Sequence, residues 1–115
     1  MFSANKSSLL AAACIALAQV VTAFHGDATY YNTGLGNCGA HSKDTDFIVA
    51  LSTQEYNKGS HCWQHIKVHY QGKTIDATVV DSCPGCSRYS IDLSPAAFKA
   101  LAPLDAGRIK VDWNY

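Results

Sequence analysis

"VVDSCPGC", Val79 to Cys86, is the stretch from which the chain is best read. A β-branched pair runs into an aspartate, and two cysteines follow with only Pro84 and Gly85 between them. Three chemistries share that pattern. A structural zinc site needs four Cys or His ligands, often as two close pairs. Cys83 and Cys86 make one pair, but Cys38 and Cys62 lie far apart and the five histidines are scattered. A redox couple works at the start of a helix, where the dipole lowers a thiol pKa. Here the pair follows strand-type residues, and "SRYSIDLS" after it reads as loop then strand. What remains is a local disulfide, Cys83–Cys86, that clasps a Pro-Gly turn just past Asp81. Cys38–Cys62 would then tie an N-terminal loop to the body. Four cysteines allow three pairings, and the sequence does not choose among them.

Disulfides call for an oxidising compartment, and the N-terminus agrees. Lys6 precedes an apolar run, "LLAAACIALAQVV" from Leu9 to Val21, and Val21-Thr22-Ala23 suits cleavage before Phe24. The expectation is a signal peptide over residues 1–23 and one domain over 24–115, secreted and extracellular. The run is too short for a membrane span. Cys14 leaves with the leader, so an even set of four cysteines stays.

Nine basic and nine acidic residues balance over the chain, so no basic field exists for nucleic acid. No membrane partner, metal or cofactor is implied, and a monomer is the default.

Outward from the cysteines the pattern is β-rich. "ATYY" (28–31) and "DFIVALS" (46–52) carry strand-type residues. "HIKVHY" alternates Ile66, Val68 and Tyr70 against Lys67 and His69, which predicts a strand with a solvated face. Gln71-Gly72 then predicts a tight turn into "KTIDATVVD". Ser52 with Glu55 three residues on resembles a capping box. Ser94 followed by Pro95 predicts a short helix with Phe98 and Leu101 inward. "GRIKVDWNY" predicts a last strand with Ile109, Val111 and Trp113 on its core face. Trp63 has no pattern to fix its direction. Short strands with small helices predict an all-β barrel.

"GDATYYN", "NCG", "ATVVDSCPGC" and "IDLSPAAF", in that order from Gly26 onward, resemble the double-psi β-barrel proteins. That group includes the expansin N-terminal domain, barwin-type defence proteins, rare lipoprotein A and small barrel endoglucanases. The lone-barrel form is most similar to the loosenins, which are fungal secreted proteins. The resemblance implies a six-stranded double-psi barrel, like the first expansin domain, with a groove for a polysaccharide chain. It implies Thr29 as the groove threonine, Asp81 and Asp92 as groove aspartates, and Tyr30 and Tyr31 as the aromatic stretch, of which alternation lets one face the groove.

Two departures bear on activity. Ser90 and Ile91 stand where the expansin motif has His-Phe before its aspartate. The endoglucanase base lies just after the threonine, and here the residues are Tyr31-Asn32-Thr33, without a carboxylate. An inverting glycosidase needs a second carboxylate to activate water. Asp27 precedes the threonine and points elsewhere along the strand. The resemblance therefore implies a non-enzymatic, non-hydrolytic protein that binds and loosens cell-wall polysaccharide (cellulose, chitin or hemicellulose). The alternative is a protein-binding module, such as a cysteine-protease inhibitor or an effector in plant–microbe interaction. A wall-lytic enzyme using a lone acid such as Asp81 stands third.

Overall fold

The computed structural model describes residues 22–115. The expected leader lies outside the described residues except for Thr22 and Ala23. Six strands form: β1 (Phe24–Tyr30), β2 (Ile48–Ser52), β3 (His65–Tyr70), β4 (Lys73–Cys83), β5 (Ile91–Leu93) and β6 (Ile109–Asn114). They close in the order β1-β5-β2-β4-β3-β6. Closure leaves no open sheet edge, which removes the template for edge-to-edge pairing. The six-stranded barrel expected from the sequence is the fold.

Alternation places the core. Ile66 and Val68 of β3, and Ile109, Val111 and Trp113 of β6, are buried while Lys67, Lys110 and Asp112 between them are exposed. β2 is buried at all five positions. β1 starts at Phe24, not Ala28, because its first residues pair with β6 from Phe24↔Trp113 to Ala28↔Ile109.

Local chemistry closes the ends of the elements. Gln71 and Gly72 both take positive φ (46° and 79°), the two-residue hairpin geometry that matches strand twist. Ser94 Oγ accepts from the Ala97 amide, and Pro95 opens the helix Pro95–Leu101. Its Phe98 and Leu101 are buried. Ser52 Oγ accepts the Glu55 amide and caps the one-turn helix Thr53–Tyr56. The reciprocal half of the expected capping box does not form. The Glu55 carboxylate instead takes the Tyr115 hydroxyl at 2.7 Å and Arg88 Nε at 3.3 Å. A buried charge needs such partners more than a one-turn helix needs a second cap.

The disulfides are Cys38–Cys62 and Cys83–Cys86. The second closes a three-residue separation at the end of β4. No helix among the described residues is long and apolar enough to cross a membrane.

Candidate functional site

Two parallel pairings set the site. β1 pairs with β5 so that Thr29 lies opposite Asp92, and β2 pairs with β4 so that Ala50 lies opposite Asp81. The antiparallel pair β2–β5 puts Ala50 opposite Asp92. Thr29, Asp92, Ala50 and Asp81 thus form one transverse row over four adjacent strands. The register of β4 shifts between Val49 and Ala50, with Val80 as the extra residue, and the row depends on it. Without that bulge the next side chain of β4 would face the other way.

Thr29 Oγ1 donates to Asp92 Oδ1 at 2.9 Å. Asp92 is half-buried, and loss of hydration holds its carboxyl above the usual range. The Thr29 hydroxyl and the charge of Arg108 oppose that rise, and the charge of Asp81 adds to it. Asp81 has a different environment. Its Oδ1 accepts the amides of Asn37 at 2.9 Å and Ser82 at 2.8 Å. Cys38 N donates to Val80 O, and Gly36 lies so close that a Cβ there would meet Val80 O at 2.3 Å. Asp81 and the Val80 bulge therefore anchor the loop 32–42 beside the row, and the Cys38–Cys62 bond holds that loop from its other side.

The two tyrosines part as alternation requires. Tyr31 sits against the carboxylates. Burial and the negative charges of Asp81 and Asp92 push its phenol far above the ordinary tyrosine value. Tyr30 turns away: its ring packs on Phe98 at 4.8 Å and its hydroxyl donates to Leu104 O. Tyr30 is therefore separated from the other four residues named from the sequence.

Beside Thr29 lies a cavity of about 260 Å³, walled by Cys83, Gly85, Cys86, Ser87, Ser90 and Arg108. The cysteine clasp is thus part of the wall next to the Thr29–Asp92 pair. A larger open hollow of about 750 Å³ lies on the face of β1, β6 and β3, and neither Asp81 nor Asp92 lines it. Its charges are already paired: His25 bonds Asp112 at 2.5 Å, and Asp27 accepts from Arg108 and Lys110. Asp27 is held below the usual carboxylate range, chiefly by Arg108. A carboxylate so held is a poor proton acceptor. No group of three or more His, Cys, Asp or Glu among the described residues is arranged to hold a metal ion.

Sequence reasoning missed Arg108, Ala50 and Asn37. Arg108 reaches both Asp27 and the field of Asp92 from far along the chain. Ala50 reads as one more apolar strand residue, yet its small side chain sits between the two aspartates of the row. Asn37 carries the signal "NCG", but its tie to Asp81 spans 44 positions.

Comparison with known proteins gives four findings of weight. A family model described as lytic transglycolase matches residues 23–113. The papain inhibitor of Streptomyces mobaraensis is 40% identical over 114 residues, which covers 91% of this chain and 78% of that protein. The solved structure of the Streptomyces papain inhibitor aligns with a TM-score of 0.74 at 36% identity, covering 83% of this chain and 94% of that one. An expansin of Clavibacter michiganensis, an aspartate-to-asparagine variant in complex with cellohexaose, aligns with a TM-score of 0.74 at 30% identity. That match covers 81% of this chain and 50% of the expansin, so this chain spans half of that protein.

Proposed function

This chain belongs to the lytic transglycolase family of double-psi β-barrels, and from that premise we propose that it is a secreted, non-hydrolytic polysaccharide-binding protein that loosens cell-wall glycan. One observation carries the reading: the row Thr29–Asp92–Ala50–Asp81, with Tyr31 against it. Ionised carboxylates are strong acceptors for hydroxyl groups, and charge-assisted bonds are about twice as strong as neutral ones. A glycan laid across the row meets two such acceptors, with Thr29 orienting one of them. Such bonds compete with those between neighbouring glycan chains. The expansin bound to cellohexaose supports the class of ligand.

The same groups argue against hydrolysis. Asp92, with its raised affinity for a proton, is suited to act as an acid. A base opposite it is the missing element. Asp81 Oδ1 is committed to two amides, and Asp27 is committed to Arg108 and Lys110.

A second reading has its own support. The papain inhibitor matches this chain at 40% identity over most of both lengths. Inhibition of a cysteine protease by the surface loops is therefore the alternative.

Pull-down on cellulose, chitin and xyloglucan, beside titration of papain, separates the two. We expect retention on at least one glycan, reduced in Asp81→Asn and Asp92→Asn. Papain inhibition without glycan retention would replace the first reading by the second. Release of new reducing ends by the wild type, absent in Asp92→Asn, would make the protein a hydrolase.

A further inference from the structure

Trp63 stands out by its backbone. Its φ is +72°, a region that bulky residues rarely occupy. The cause is a bulge at the start of β3: Trp63 N donates to Val79 O and Val79 N donates to Gln64 O, so two residues oppose one. The first position of such a bulge ordinarily holds glycine, because only glycine takes positive φ without strain. A tryptophan there could be excused by full burial, but Trp63 keeps more than half of its surface open, at 55% exposure. Strain kept at an exposed position points from the outlier to a function.

Its place in the barrel says which. The row of the candidate site ends on β4 at Asp81, and Trp63–Gln64 pairs with β4 at Val79, two residues before that aspartate. The Cys38–Cys62 bond joins the residue before Trp63 to the loop whose Asn37 amide is held by Asp81. From Asp92 on β5 through β2 and β4 to β3 is three strand spacings, roughly 14 Å. The surroundings are polar: Asn37 Nδ2 donates to Ser82 Oγ, and His61 bonds Gln64 as a separate pair.

We propose that Trp63 is an aromatic platform at the far end of the aspartate row, on which a sugar ring of a longer glycan stacks. The inference rests on the glycan-binding reading above and adds a subsite to it. A flat apolar face beside polar groups suits a pyranose ring, which is apolar on its faces and polar on its rim. A disaccharide held at Asp92 is too short to reach the platform, and a hexasaccharide is long enough.

The chain has two tryptophans, and Trp113 is fully buried, so quenching by acrylamide reports on Trp63. Cellohexaose and chitohexaose, each beside its disaccharide, would be titrated into the wild type, Trp63→Gly, Asp81→Asn and Asp92→Asn, with binding heat as the common readout. Trp63→Gly suits the bulge, so its folding is not at risk. We expect the hexasaccharide to protect Trp63 from acrylamide, and Trp63→Gly to weaken hexasaccharide binding roughly three- to tenfold, the worth of an aromatic contact. Disaccharide binding should not change. Unchanged hexasaccharide affinity in Trp63→Gly, with losses in Asp81→Asn and Asp92→Asn, would overturn the platform and leave the groove standing. A wild type that binds no glycan would overturn both. Loss of papain inhibition in Trp63→Gly with glycan affinity intact would reassign Trp63 to a protein partner.

Discussion

Thr29 and Asp92 face each other across the parallel pair β1–β5, and the threonine hydroxyl donates to the carboxylate at 2.9 Å. The pair is 63 positions apart in the chain. It gives a half-buried carboxylate one fixed donor and leaves its other oxygen for a ligand. Hydrogen bonds to charged groups contribute about 1.5–3 kcal/mol. Thr29→Val keeps the shape and removes the donor. The expected cost is about 1–2 kcal/mol at neutral pH, reduced because Asp92 is only half-buried. Urea midpoints of the two proteins at pH 7 and pH 3 check this: the difference should shrink at pH 3, where Asp92 carries its proton.

Asp92→Asn should act on stability and on binding in opposite directions. The folded state raises the Asp92 pKa, chiefly by desolvation. A carboxyl whose folded pKa is raised binds protons more tightly folded than unfolded, so it lowers stability as pH rises through that window. Asparagine carries no charge and can still accept from Thr29. The variant should equal the wild type in stability below the ordinary carboxylate range and match or exceed it at pH 7. Melting temperatures over pH 3 to 8 decide. A variant less stable than the wild type at pH 7 and equal to it at pH 3 would show that the ionised form is favoured by folding.

The disulfides should differ in weight. Cys38–Cys62 spans 24 positions and Cys83–Cys86 spans 3. On the loop-entropy account the first contributes about 3.5 kcal/mol and the second about 2 kcal/mol. Paired Cys→Ser variants, compared by urea unfolding, should rank in that order. Removing Cys83–Cys86 should also weaken glycan retention, since the clasp forms part of the cavity wall beside Thr29.

Tyr115→Phe tests the buried acid. Glu55 is 9% exposed and holds the Tyr115 hydroxyl at 2.7 Å, while the ring of Tyr115 stacks on His61 at 4.3 Å. Phenylalanine keeps the stack and leaves Glu55 with Arg88. The expected loss is about 1–3 kcal/mol. The double variant with Glu55→Gln should lose less than the sum of the single changes, because the partners are coupled.

The elements were legible in this sequence because each rests on covalent neighbours. Period-two alternation marked β3 and β6, Gln71-Gly72 marked the hairpin, and Ser94-Pro95 marked the helix start. The Cys83–Cys86 bond needs only a tight turn, but it was one of three pairings open to the sequence, and the fold selected it. Where a local rule competed with a distant partner, it failed: Glu55 left the capping box for Arg88 and Tyr115. Alternation said that one of Tyr30 and Tyr31 faces the carboxylates, but the helix Pro95–Leu101, which offers Phe98 to Tyr30, decided which. The site row belongs wholly to the tertiary structure. Thr29, Ala50, Asp81 and Asp92 come together only because two parallel pairings cross in a closed barrel and one bulge at Val80 shifts the register. Periodicity gives each strand its faces. Which residues of different strands share a row is set by register, and register is fixed by the packing of the whole barrel.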